Sequence, residues 1–148
     1  MTPANAMLSV ELSHIADVLD ATHQAQNVSK LARQYSSTIS KAIWEHTLVD
    51  NVFAYETDGF GSRYVMDDAN VPVRLHCAQI IADDHVLIVG LQSLLSLPYL
   101  GFLDTNHPAY MKTRKVVMSR GNPYYAARNF SGIGYSRDHY RTESVLTE

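Results

Sequence analysis

Apolar residues recur at helical spacing from the start of the chain. Leu8, Leu12, Ile15 and Leu19 fall three or four positions apart, Val18 and Thr22 widen the stripe, and the period predicts an amphipathic helix. After the polar break "THQAQ", Asn27 stands where it can cap a second helix. In that helix Val28, Leu31, Tyr35, Ile39 and Ala42 to Trp44 keep the same period. The two read as a helical hairpin. Near Val52 the period changes to two: Val52, Ala54 and Glu56 alternate with Phe53, Tyr55 and Thr57, "DGFG" supplies turn residues, and Tyr64 to Met66 resume as a strand. A small β-hairpin is therefore expected. Farther on, "SLLSLPYLGF" predicts a short apolar helix and "NPYYAARNF" an aromatic-rich connection. Between them "HPAYMKTRKVVMSR" predicts an amphipathic helix started by Asn106 or His107 with Pro108. No fixed-period repeat, low-complexity tract or linker divides the chain. The pattern predicts a mainly α fold with one small β-hairpin.

Composition narrows the partners. The 148 residues carry 12 Lys and Arg against 15 Asp and Glu, a net charge of −3, so no basic field draws nucleic acid or anionic lipid, and no nucleic-acid partner is expected. The single cysteine, Cys77, forms no internal disulfide and assigns no redox compartment. The opening "MTPANAMLSVELSHIADVL" mixes Asn, Glu, His and Asp into its apolar positions, unlike a signal peptide, and no uncharged apolar stretch is long enough to span a membrane. Two sequons, at Asn27 and Asn129, are too frequent by chance to imply secretion. Neither localisation nor oligomeric state follows from these features.

Candidate chemistry gathers where the hairpin delivers its end, at Asp67, Asp68 and Asn70. Two carboxylates and an amide at a helix mouth can hold vicinal sugar hydroxyls, because each carboxylate accepts two hydrogen bonds and Asn both donates and accepts. Capping is the alternative, since Asp68 ahead of "ANVP" would satisfy open N–H groups at a helix start. A glycosidase acid/base pair demands more. An inverting enzyme holds its two carboxylates roughly 6.5–9.5 Å apart across the scissile bond, and adjacent residues point in different directions. Asp83, Asp84 and His85 lack a second His or Cys at ligand spacing, and His14, His23 and His46 read as surface or interface histidines. No metal and no cofactor are expected.

At these residues the chain resembles a known family. "AYETDGFGSRYVMDDANVP", then "SLLSLPYLGFLD", then "TRKVVMSRGNPYY" resemble successive blocks of glycoside hydrolase family 125, the metal-independent exo-α-1,6-mannosidases, and "TPANAM" with the first helices resembles the block before them. The resemblance breaks in two places. In the family "MDDANVP" continues directly into "SLLSLPYLG", whereas here Val73 to Gln92, 20 residues and hence 60 nucleotides at three per codon, stand between them. The Val73 codon must begin with GT, the Gln92 codon can end in AG, and Ala82-Asp83 can be encoded as a branch-point-like GCTGAC. A short retained intron, translated in frame, accounts for the segment and implies a fungal or similar eukaryotic gene. The second break follows "GIG": from Tyr135 to Glu148 the sequence leaves the family pattern, and this charged tail is expected to be loose.

What the resemblance implies is an (α/α)6 barrel, of which residues 1–134 would form roughly two to three of six hairpins, with 73–92 as the insertion and 135–148 as a divergent tail. Faces that pack on neighbouring hairpins would then be exposed apolar surface. The implied ligand is an α-mannoside or mannose-containing glycan, touched by Asp67, Asp68 and Asn70. The family's general acid resembles an element before the "PAN" block and its general base one well downstream. Neither motif occurs in these residues, so the chain by itself is expected to be inactive, with no catalytic residue of its own. Two alternatives stand beside this reading: a non-catalytic mannoside-binding remnant and a helical interaction module.

Overall fold

The computed structural model describes residues 1–64, 93–127 and 131–133. Val73–Gln92, the tail from Tyr135 and the Asp67, Asp68 and Asn70 cluster lie outside the described residues, as do Asp83, Asp84 and His85. The expected helical hairpin is present. Helix α1 spans Thr2–Ala21, with Pro3 in its first turn, where the missing N–H has no partner to lose. Helix α2 spans Gln26–Thr47 and runs back along α1. Its N-cap is Ala25 rather than Asn27. Ala25 adopts a left-handed φ of 44°, and its carbonyl accepts from the N–H groups of Val28 at 2.8 Å and Ser29 at 3.0 Å.

The two helices meet through small residues rather than through the apolar stripe. Ala6, Ser9 and Ala16 of α1 and Ser29, Ala32 and Ile43 of α2 are buried. Ser36 Oγ donates to the Ser9 carbonyl at 2.6 Å, and Ser29 Oγ donates to the Ala16 carbonyl at 3.3 Å and to Asp20. Arg33 closes the seam by donating to Asp17 at 2.9 Å and to Asp20. Bulky side chains flank such a contact because the hydroxyls must reach the facing backbone. Leu8 (47% exposed), Ile15 (49%) and Val18 (62%) consequently lie in solvent, and so do Val28, Leu31 and Tyr35 of α2. Exposed apolar faces of this kind are what a partial barrel should show.

The β part is larger than the sequence pattern indicates. Strands β1 (Leu48–Val49) and β2 (Val52–Phe53) pair antiparallel around Asp50 and Asn51, whose φ values of 49° and 60° make the left-handed two-residue turn that suits a tight hairpin. The expected hairpin follows as β3 (Glu56–Thr57) and β4 (Arg63–Tyr64), with Glu56 opposite Tyr64. "SLLSLPYLGF" forms only a 3₁₀ turn, Leu94–Ser96, capped by Ser93 Oγ, which accepts from the Leu95 N–H at 3.0 Å. Pro98 and Gly101, whose φ is 78°, follow this turn and do not suit a longer helix. Helix α3 spans Pro108–Val117 and starts as expected: Pro108 opens it, and His107 Nδ1 accepts from the Ala109 N–H at 3.2 Å. Strands β5 (Tyr125–Ala127) and β6 (Ser131–Ile133) form the third separate two-stranded pair among the described residues.

The core gathers the first half of α1, the second half of α2, β2 and α3. Phe53, Leu94, Leu97 and Val117 are its largest fully buried apolar side chains, joined by Ala6, Ile43, Tyr55 and Ala109. Trp44 lies against this cluster, its ring centre 5.1 Å from Phe53, 5.9 Å from Phe102 and 5.2 Å from His107. Fully buried Thr113 ties α3 to β2, since its hydroxyl accepts from the Phe53 N–H at 2.9 Å and donates to the Ala109 carbonyl at 2.7 Å. This core holds the β3–β4 hairpin in place.

Candidate substrate site

In the sequence, strand β4 precedes the segment carrying the candidate residues Asp67, Asp68 and Asn70, so the described residues next to them in the chain are the hairpin and its footing. The footing comes from both helices. Thr2, at the start of α1, donates its N–H to the Tyr55 carbonyl at 2.7 Å and its hydroxyl to the Ala54 carbonyl at 2.6 Å. At the other end, Arg63 Nε donates to the His46 carbonyl near the close of α2 at 3.3 Å. The Tyr55 N–H donates to the Tyr64 carbonyl at 2.6 Å, so the chain entering residue 65 starts from a backbone bonded to the core. Lys112 Nζ, from α3, donates to the Asp50 carbonyl at 2.6 Å and steadies the preceding hairpin.

The hairpin tip is locked by a carboxylate. Asp58 Oδ1 accepts from the backbone N–H groups of Phe60 at 2.8 Å and Ser62 at 3.0 Å. The Phe60 bond foremost, then the Ser62 side chain, holds the Asp58 carboxyl below its ordinary range, against a small opposing effect of desolvation. Gly59 and Gly61 take φ values of 78° and 106°, which other residues rarely adopt, and a Cβ at either would meet only open space. Their role is conformational. Between them Phe60 is 96% exposed.

Beside the hairpin, at the start of α1 and the end of α2, lies a cleft of about 250 Å³ lined by polar Thr2, Asn5, His46, Thr47 and Thr57 and by apolar Met1, Ile39, Ala42 and Ile43. Several of its donors are already engaged: Thr2 on Ala54, Thr47 on the Ile43 carbonyl at 2.8 Å, and Asn5 Nδ2 on the Met1 carbonyl at 2.8 Å. The hydroxyl oxygens and the Asn5 carbonyl oxygen can still accept hydrogen bonds, as a neutral polyol requires. None of the lining residues is a carboxylate, so the cleft by itself offers no acid/base pair. Sequence reasoning missed this cleft, because no local pattern marks Asn5, His46 and Thr57 as neighbours.

His14, His23 and His46 are exposed and far apart in the chain. His14 Nδ1 lies 3.6 Å from Glu11 one helical turn earlier, a surface pairing. Among the described residues there is no group of three or more His, Cys, Asp or Glu side chains placed to hold a metal ion. No described helix is long and apolar enough to cross a membrane.

Comparison with known proteins agrees with the motifs. A family model described as metal-independent alpha-mannosidase (GH125) matches residues 1–144, running through Val73–Gln92 and into the tail. The meiotically up-regulated gene 157 protein of Schizosaccharomyces pombe is 43% identical over 139 residues, which are 89% of this chain and 23% of that protein. A Streptococcus pneumoniae structure described as a metal-independent alpha mannosidase in a non-productive substrate complex with alpha-1,6-mannobiose matches with a TM-score of 0.70 and 27% identity, over 90% of this chain and 29% of its own. The chain thus spans 23% of the yeast relative and 29% of the bacterial one, and its fold is part of the barrel architecture of such enzymes. On the family match over residues 1–144, this chain belongs to glycoside hydrolase family 125, the metal-independent α-mannosidases.

Proposed function

We propose that the protein to which this sequence belongs removes α-1,6-linked mannose from the ends of glycans with inversion, and that these residues contribute substrate contacts rather than the acid or the base. The family match over residues 1–144 carries the reading, and the bacterial relative with alpha-1,6-mannobiose supports the choice of sugar. Inversion requires one carboxylic acid to protonate the leaving oxygen and a carboxylate to activate water on the opposite face. Asp67, Asp68 and Asn70 are the proposed sugar contacts. Contacts of that kind orient the ground state and survive without the groups that act on the transition state, so the chain binds mannosides weakly and does not turn them over. Val73–Gln92 is proposed as intron-derived. Transcripts that keep its 60 nucleotides in most reads, at a locus without splice-site sequence, would remove that account.

The test is mannose release from α-1,6-mannobiose by the 148-residue chain and by a longer product of the same gene lacking 73–92. The short chain should release none. The longer product should release mannose without added metal and in the presence of EDTA. Release by the short chain, after controls for contaminating mannosidase, overturns the placement of acid and base elsewhere; an inactive, well-folded longer product overturns the activity. The exposed stripe of Leu8, Ile15, Val18, Val28, Leu31 and Tyr35 favours a second reading, a helical interaction module. That reading requires a defined oligomer or complex by light scattering.

A further inference from the structure

We propose that one side of the α1–α2 hairpin is a docking face, and that its occupant is a further helical hairpin from the part of the longer protein that lies outside this chain. The face is defined by angle. At about 100° per residue, Leu8, Ile15 and Val18 fall within an arc of about 80° on α1, and Val28, Leu31 and Tyr35 within about 60° on α2. On each helix the stripe is reached by turning in the same sense from the seam, marked by buried Ala16 on α1 and Ala32 on α2. Because the helices run in opposite directions, the two stripes emerge on the same side of the hairpin. Half-buried Leu12 and Leu19 continue the α1 stripe toward the seam. Half-buried Ile39 and Ala42 carry the α2 stripe into the cleft beside the β3–β4 hairpin.

The face suits a protein surface. Six of the twelve large apolar side chains that stand exposed among the described residues belong to it. The ion pairs of Arg33 with Asp17 and Asp20, and of Lys41 with Glu45, lie outside both arcs. Within the arcs Glu11, 3.6 Å from His14, is the only Asp, Glu, Lys or Arg. Helices of 20 and 22 residues are about 30 Å long and pack about 10 Å apart, so the face measures roughly 30 by 20 Å, on the order of 600 Å², near the ~800 Å² a side of a stable protein contact. Apolar side chains three and four residues apart form ridges on either side of the groove between α1 and α2, the relief into which another helix packs.

The occupant follows from the relatives. The match takes in 29% of the bacterial structure, at a TM-score of 0.70, and 23% of the yeast protein, so most of each relative lies outside the matched residues. A helical fold that continues past this hairpin must cover a side that the hairpin cannot bury against itself. A second copy would compete for the same side chains, but a hairpin on the same polypeptide is present at a far higher effective concentration. Once docked, it also roofs the cleft at the end of the face. The inference does not depend on the mannosidase activity.

The experiment introduces Ile15→Lys combined with Leu31→Lys into the 148-residue chain and into the longer gene product lacking 73–92. Gln34→Lys combined with Ser37→Lys is the control, since both positions are exposed and lie outside the α2 arc. The face pair should leave the thermal midpoint of the short chain within about 1 °C and lower that of the longer product by at least about 5 °C, while the control pair moves neither. A second measurement covers a lysine variant that fails to fold. The thiol of Leu31→Cys, followed by mass spectrometry of its own peptide, should react with a maleimide at least about tenfold more slowly in the longer product than in the short chain. Equal reactivity in the two, or an unmoved midpoint in the longer product, overturns the docking face. A midpoint that falls equally in both places these side chains in packing within this chain and overturns it too. Protection in the short chain that grows with protein concentration assigns the face to a second copy and overturns the occupant.

Discussion

Replacing Thr113 with valine removes a hydrogen bond that joins parts of the chain 60 residues apart, together with the hydroxyl's bond to the Ala109 carbonyl one helical turn earlier, an oxygen that the helix ladder also serves. Thr113 is fully buried, and valine has nearly its shape, so the substitution opens no cavity of consequence. The larger loss is the acceptor for the Phe53 N–H at 2.9 Å, which has been taken out of water. A buried N–H left without a partner is unfavourable by about 1–3 kcal/mol. Taking ~2 kcal/mol, the ratio of folded to unfolded chain falls about 30-fold, and the thermal midpoint drops by roughly 4–8 °C for a chain of this size. Circular dichroism at 222 nm gives the midpoint. Thr113→Ser is the paired control, because it keeps the acceptor and loses only a buried methyl, about 1 kcal/mol. Amide exchange separates the two effects: relative to its neighbours, Phe53 should lose protection in Thr113→Val and keep it in Thr113→Ser. A valine variant as stable as the parent, with the Phe53 amide equally protected, would refute the claim that this bond holds β2 to α3.

Other expectations follow from single features. Ala25→Gly should raise stability by about 1 kcal/mol in urea denaturation, because glycine relieves the left-handed backbone at φ 44°. Ile15→Lys combined with Leu31→Lys should raise the soluble concentration without lowering the thermal midpoint, since both side chains are about half exposed; a lowered midpoint would place them in the working core. Asp20, held below its ordinary range first by Ser29 and then by Arg33, and Asp58, held down by Phe60, are more acidic folded than unfolded. Their contribution to stability is therefore present above about pH 4, where the unfolded carboxyl is also ionised, and is lost as pH falls through their folded pKa values. A midpoint-versus-pH profile should decline below pH 4, less so in Asp20→Asn. Deleting Val73–Gln92 leaves Ser93 to cap its turn and should raise solubility or the thermal midpoint; a lower midpoint in a cooperative, monomeric sample would make the segment part of the fold. In the longer gene product, Asp67→Ala and Asp68→Ala should slow mannose release through misplaced substrate, and full activity in both would return these residues to capping.

Local chemistry was readable where one residue type has one strong use. His107 followed by Pro108 announced the start of α3, and the glycines of "DGFG" announced the turn. Misreadings arose where a physical choice is not local. Leu8, Ile15 and Val18 mark an apolar face of α1, but periodicity does not say which face meets α2, and the meeting was made by Ala6, Ser9 and Ala16, which score weakly as hydrophobic. Ala25 has no preference for positive φ, so its position as cap is set by the short path between the helices. Asp50 and Asn51 carry a turn signal, but the strands they join are two residues each, too short for an alternating pattern to show. The order of motifs made the family legible, while Asp67, Asp68 and Asn70 keep their proposed role through sequence alone.

The setting of Trp44 gives the chain an optical property. It is the only tryptophan, and the rings around it come from both sides of the 65–92 interval: Phe53 before it, Phe102 and His107 after it. Native emission therefore reports, without a dye, whether the later part of the chain has closed over α2. Were the polypeptide cut within that interval and the two pieces mixed, their reunion would move the tryptophan from water to a stacked aromatic pocket. The blue shift would time the joining of the halves.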